Sequence, residues 1–263
     1  MLLFLGLADV TAAETIPLPR PRPEEIAKAA EPPPPSVCFV SLSEHAVVQS
    51  LPDFNEAGCP VADAVRIEAI ILPDQRRVAV QPAGTLRCEM AAALTDWVRD
   101  VVAPVTAAHL GSPLRAVENF DSFSCRGRNR IAGAKLSEHG MGNAFDLRSL
   151  KLANGTTVRP TDQNLSKDFR DGLRMSACGH FRTVLGPDSD GYHQDHIHLD
   201  IADRKRGYRM CQWDVLQPLL ADAPFSHLGY TEAAAPLDLR APPVTDAVST
   251  AKTTRANPLL KKL

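Results

Sequence analysis

The sequence predicts an α+β fold, a single domain with a central antiparallel sheet flanked by helices and stapled by disulfides. Three observations predict it. The run at 65–72 alternates apolar and polar residues at its start and then becomes apolar, and the run at 193–200 alternates toward its end, the period of a strand with one buried face. Stretches at 85–103 and 166–178 repeat apolar residues at three- and four-residue steps, the period of an amphipathic helix, and the order of elements lacks a regular strand–helix–strand rhythm. Six cysteines, at 38, 59, 88, 125, 178 and 211, are scattered through the same region, and none forms a Cys-x-x-Cys pair that a zinc ribbon would need.

At 263 residues the chain is long enough to bury a core. Residues 1–13 contain the apolar run Leu-Leu-Phe-Leu-Gly-Leu and end in Thr11-Ala12-Ala13, which reads as the remnant of an export signal lacking its positive end. Residues 14–35 form a proline-rich linker, which stiffens into polyproline II and cannot build a core. The domain is expected over 36–217, and residues 218–263, rich in Ala, Pro and Thr, read as a flexible tail. No later segment approaches the roughly 18 apolar residues of a membrane-spanning helix. The net charge of -2 and pI near 6.4 give no basic excess that would point to nucleic acid. An exported, periplasmic or secreted location follows, where an even cysteine count reads as disulfides. Spacing does not fix connectivity; pairing in chain order, Cys38–Cys59, Cys88–Cys125 and Cys178–Cys211, is the expectation.

Within the domain, 65–72 and 77–80 are strand candidates around the Pro73-Asp74 turn. Leu86, Met90, Leu94, Trp97 and Val101 form one face of a helix that starts near Thr85 and is stopped by Pro104. A strand is expected over 114–125, followed by the basic turn Arg126-Gly-Arg128-Asn-Arg130. Asn154-Gly155 suits a two-residue type I′ hairpin. Phe169, Leu173 and Ala177 mark a second helix, and Trp213, Val215 and Leu216 close the core.

The chemistry concentrates in two segments. Ser137-Glu-His139-Gly-Met-Gly-Asn-Ala-Phe-Asp146 offers an imidazole and a carboxylate around a turn that Gly140 and Gly142 permit. In His193-Gln-Asp195-His196-Ile-His198-Leu-Asp200, strand alternation sends His196, His198 and Asp200 to one face and Ile197 and Leu199 to the other. A catalytic zinc takes three protein ligands and keeps a position for water, whereas a structural zinc is closed by four. His139, Asp146 and one of the histidines at 196 and 198 supply three. Asp200 is expected to orient a ligand imidazole, Ser137 to support the site or cap the turn, and His180 and His227 to be ordinary turn residues.

The spacing Ser137-x-His139-x-x-Gly142-x-Ala144-x-Asp146 with Asp195-His196-x-His198 resembles the paired signature of the LAS-type zinc peptidases, which cleave D-alanyl-D-alanine and murein peptides. More closely, Cys125-Arg126-x-Arg128-Asn129, Ser137-Glu138-His139, Gly142-Asn143-Ala144, Leu185-Gly186-Pro187 and His196-x-His198-Leu199-Asp200 resemble the bacterial extensin-like C-terminal domain family, over about residues 36–215. The resemblance implies a LAS-peptidase-like fold and one zinc ion held by His139, Asp146 and His198. It places Asp195 as general base and His196 beside the developing oxyanion. Many members carry glutamate where Asp195 stands, so His193 is a rival base. Arg126 or Arg128 is the candidate for a substrate carboxylate. The expected function is a zinc-dependent hydrolase of the cell envelope that cuts peptide bonds, with peptidoglycan or a peptide as substrate. The alternatives are a wall-binding module that keeps the metal without turnover, and a disulfide-stapled structural domain without metal.

Overall fold

The computed structural model describes residues 34–215. The segments read as an export signal (1–13), as a linker (14–35, apart from its last two residues) and as a tail (218–263), together with Leu216, lie outside the described residues. Helix α1 (Val37–Ser43) opens the domain, capped by the Ser36 hydroxyl, which accepts from the Phe39 amide at 3.0 Å. Strand β1 (Ala46–Ser50) follows, then a small hairpin of β2 (Phe54–Glu56) and β3 (Cys59–Val61), and the long strands β4 (Ala64–Ile71) and β5 (Arg77–Arg87). Helix α2 (Cys88–Trp97) buries Met90, Leu94 and Trp97 on the predicted face, although it starts at Cys88 because β5 runs on through Thr85.

Pro104 does not stop this helix. A π-helical segment, Val98–Val102, widens the turn, and α3 (Ala103–Leu110) continues with Pro104 in its first turn. Proline is excluded from a regular helix interior by its missing N–H and its clash with the carbonyl four residues back, and the register change of a π segment relieves both. The chain then forms β6 (Leu114–Asp121), β7 (Ala144–Leu152), β8 (Thr157–Val158), α4 (Lys167–His180), β9 (Thr183–Leu185), β10 (Ile197–Asp200) and β11 (Met210–Gln212). The β7–β8 turn differs from the expected type I′. That type needs positive φ at both central residues, and here Gly155 (φ 87°) adopts it while Asn154 does not.

Apart from β2 and β3, which pair only with each other, the described strands join in one sheet of order β1-β4-β5-β6-β7-β10-β9-β11, with β8 on the far half of β7. Most pairs are antiparallel as expected, but β5–β6 and β9–β11 are parallel, so the sheet is mixed. The helical crossover α2–α3 returns the chain to the end of the sheet from which β5 left, which makes β6 parallel to it. Phe145, Leu147, Ile197 and Leu199 point into the core, which also holds Trp97, Phe169, Leu173 and Phe181. The alternate residues of β7 and β10 therefore present their side chains on the opposite face, and that is where the site lies.

Three disulfides close the fold: Cys38–Cys88, Cys59–Cys125 and Cys178–Cys211. The third matches the chain-order expectation and the first two correct it. Cys38 on α1 lies against the start of α2, and Cys59 on β3 reaches the loop beyond β6, because spatial neighbours follow packing and not chain order. Among the described residues no helix is long and apolar enough to cross a membrane.

Candidate metal centre

The site begins with a turn. Ser137 accepts the His139 amide at 3.4 Å, and a single 3-10 turn (His139–Met141) ends at Gly142, whose φ of 64° disfavours a side chain. A Cβ on Gly142 would come within 3.0 Å of both the Arg87 amide nitrogen and Val61. One on Gly140 would meet Leu136 at 2.7 Å and the sulfur of Cys59 at 3.1 Å. Both glycines of the motif are thus required by close packing, which seats His139 directly ahead of β7.

His198 on β10 lies opposite Asp146 on β7 in the antiparallel register. Asp146 Oδ1 is 2.9 Å from His198 Nδ1 and 3.2 Å from His139 Nε2, and those two nitrogens are 3.1 Å apart. The outer nitrogens are also bound: His139 Nδ1 donates to the Ser122 carbonyl at 2.7 Å, and His198 Nε2 to Asp200 Oδ2 at 3.2 Å. These outer bonds fix the tautomers and turn both inner lone pairs toward the Asp146 oxygen.

Three buried acceptors facing one another repel unless a cation or protons lie between them. Tetrahedral zinc bonded at about 2.0–2.1 Å needs donor–donor edges of about 3.3 Å, close to those found. The donor set, two imidazole nitrogens and one carboxylate oxygen, fits the expected ion. Without a metal, protons take its place. Burial opposes charge on both groups, but hydrogen bonds to Asp146 and Asp200 raise His198 to about 9, while His139 and His198 hold Asp146 far below the usual carboxylate range. Asp200, despite its burial, is held low by His198, the Thr183 hydroxyl and the Ala202 amide.

Two further imidazoles flank the donor set, each held by an aspartate. His193 Nδ1 donates to Asp190 Oδ1 at 2.7 Å, and its pKa is lowered, chiefly by burial and by the nearby His198, against the opposing pull of Asp190. His196 Nδ1 donates to Asp195 Oδ1 at 2.9 Å, with Nε2 3.5 Å from Asp146 Oδ2. The other Asp195 oxygen accepts from Arg148 at 2.6 Å, so both oxygens are engaged. His196 and Arg148 together hold Asp195 ionised below its usual range.

Cavities of about 180 and 380 Å³ open on either side of the donor group, the first reaching His139 and His198 and the second Asp146 and His196. Arg126, Asn129 and His193 border both. Arg126 pairs with Asp121 at 2.9 Å, and Arg128 lies half exposed 3.9 Å from Glu138. Both candidate arginines therefore reach the cleft. His180 lies elsewhere, bonded to the Ala93 carbonyl at 2.8 Å, and His227 is outside the described residues.

A family description covers this region. The family model for the extensin-like protein C-terminus matches residues 36–212. The chain belongs to this family. Searches of curated proteins and of solved structures returned no match. In this extensin-like domain, sequence reasoning missed Asp190, Ser122, Arg148 and Phe120. Asp190 stands three residues before His193, and Arg148 two residues after Asp146 on the same strand face, so each had a local signal. The Ser122 carbonyl had none, since a backbone acceptor carries no side-chain signature.

Proposed function

We propose that the extensin-like domain is a zinc-dependent hydrolase of the cell envelope, cutting peptide bonds of the kind found in peptidoglycan. The observation that carries this reading is the convergence of three buried donors, His139, Asp146 and His198, flanked by two aspartate-supported imidazoles, His193 and His196. Among the described residues, this group has three members and no fourth side chain to close it, in keeping with a site that keeps a position for water. The likeness of the two motifs to the LAS-type zinc peptidases supplies the bond type and the polymer. Three disulfides support an oxidising compartment outside the cytosol.

Zinc, when bound, would polarise a carbonyl oxygen and bring the pKa of water toward neutrality. His193 is the better general base. It is neutral at neutral pH, its Nδ1 is held by Asp190, and Nε2 remains to take a proton from the attacking water and pass it to the leaving amine. Asp195 instead acts through His196, holding its Nδ1–H so that the ring, once Nε2 also carries a proton, can donate from Nε2 to the oxygen on which negative charge develops. Arg126 and Arg128 line the cavity beside His139 and His198, and a guanidinium fork there suits pairing with a substrate carboxylate.

Elemental analysis of the purified protein, paired with mass spectrometry of peptidoglycan after incubation, tests the reading. About one zinc per chain together with new peptide fragments is the expected result. Zinc without cleavage would favour a wall-binding module, and no zinc after metal-replete refolding would leave a structural domain.

A further inference from the structure

Four side chains beside the donor group form a closed ring of contacts. The Arg148 guanidinium lies over the Phe120 ring, 4.2 Å from its centroid, and donates to Asp195 Oδ2 at 2.6 Å. Asp195 Oδ1 accepts from His196 Nδ1 at 2.9 Å, and the His196 ring returns to Phe120 with centroids 4.9 Å apart. The members come from three neighbouring strands or their ends: Phe120 from β6, Arg148 from β7, and Asp195 and His196 from the approach to β10.

We propose that Arg148 is a positioning residue, which, clamped on Phe120, aims His196 through Asp195. Asp195 alone cannot hold the ring in one orientation, because its side chain is 45% exposed and reaches His196 from the adjacent position in the chain. A carboxylate free to rotate would present either oxygen to the imidazole or turn to solvent. Arg148 removes that freedom. Its planar fork holds the second oxygen, and stacking on Phe120 fixes the plane of the fork. Phe120 is 45% exposed, and contact with Arg148 and His196 accounts for its place at the cleft. Arg148 and Asp146 lie two residues apart on one face of β7, so a single strand supplies both a donor to the ion and the support of the neighbouring imidazole.

The inference rests on the hydrolase reading only in its kinetic arm. The first arm is nitrogen NMR of the metal-free protein labelled with 15N-histidine, with His196→Gln used to assign the His196 signals. In the unaltered protein His196 should show one arrangement, with Nδ1 protonated and bonded. In Arg148→Ala its signals should move toward those of a free imidazole, and Arg148→Lys should restore them in part. Signals in Arg148→Ala identical to those of the unaltered protein would overturn the inference. Should Arg148→Ala fail to fold, Phe120→Leu takes its place: loosened His196 signals would support the inference, and unchanged ones would overturn it. In the kinetic arm, Arg148→Ala should lower kcat roughly 10- to 100-fold, the scale of a misplaced catalytic group, with KM within about twofold and zinc retained. The double variant with Asp195→Asn should be no slower than Asp195→Asn alone, because the two act as one unit; fully additive losses would overturn the inference. Absence of zinc and turnover in the unaltered protein would defeat the hydrolase reading and leave the histidine spectra to decide this one.

Discussion

His198 on β10 sits directly opposite Asp146 on β7, and its Nδ1 lies 2.9 Å from the carboxylate oxygen. The backbone ladder sets this contact. A slip of one residue in the pair would turn His198 into the core and bring Ile197 or Leu199 to the site face. The hydrophobic face that holds the sheet together therefore also holds two of the three donors in register, and the turn at 139–142 only has to deliver the third.

That arrangement predicts the response to losing the third donor. His139→Ala leaves the β7–β10 ladder intact, so the protein should fold while zinc falls from about one per chain to near zero and cleavage disappears. Elemental analysis and circular dichroism of the same sample check both. Retained zinc would remove His139 from the donor set.

The turn itself can be tested without touching a donor. Gly142→Ala places a side chain at φ 64° and within 3.0 Å of the Arg87 amide and Val61. It should cost about 1–3 kcal/mol in denaturant unfolding, given the strain of a left-handed non-glycine residue. Zinc affinity, read by competition with a chromophoric chelator, should fall in parallel, because His139 moves with the turn.

The two aspartate–histidine pairs should separate kinetically. His193→Gln should lower turnover roughly 100- to 10,000-fold, the range for loss of a general base, with zinc retained. Asp195→Asn should cost less than His193→Gln, since Asp195 acts through His196. The reverse ranking would return the role of base to Asp195.

Stability of the metal-free protein should depend on pH with a definite sign. His198 is raised to about 9 in the folded state against 6.5 for its ordinary value, so it contributes stability that is fully present below about 6.5 and is lost as pH rises through about 9. Asp146 is displaced the other way. Its contribution is present above its ordinary 3.8 and is lost only as pH falls well below that value. His193, lowered by burial, works the other way and withdraws stability as pH falls below its ordinary 6.5, so thermal unfolding in excess chelator should show its highest midpoint near pH 6.5, declining toward pH 9 and on the acid side. Saturating zinc should remove the alkaline decline, because the ion takes the place of the proton on His198.

The Cys59–Cys125 bridge ties β3 to the start of the cationic loop, and the Cys59 sulfur packs against the turn at Gly140. Replacing both cysteines with alanine should destabilise the domain by about 2–4 kcal/mol, from the chain entropy of the opened loop. It should also weaken zinc binding, whereas removing Cys178–Cys211, on the far side of β9, should lower stability with little effect on the metal. Denaturation curves and chelator competition on both variants check the contrast.

Features set by short-range chemistry could be read from the residues alone. Alternation from Ile197 to Asp200 named the face of each side chain, the glycines at 140 and 142 marked a tight turn, and Phe169, Leu173 and Ala177 marked the buried side of α4, all of which lie as their period requires. Chain order carried none of the information that decided the rest. Cys38 met Cys88 instead of Cys59, β6 ran parallel to β5, and Pro104 was absorbed by a π turn, because each outcome depends on which distant segment packs alongside. The engagement of Asp195 by Arg148, and the pairing of His193 with Asp190, belong to the same class. A residue's own chemistry says what it can bind, whereas its partner is chosen by the long-range closure of the sheet.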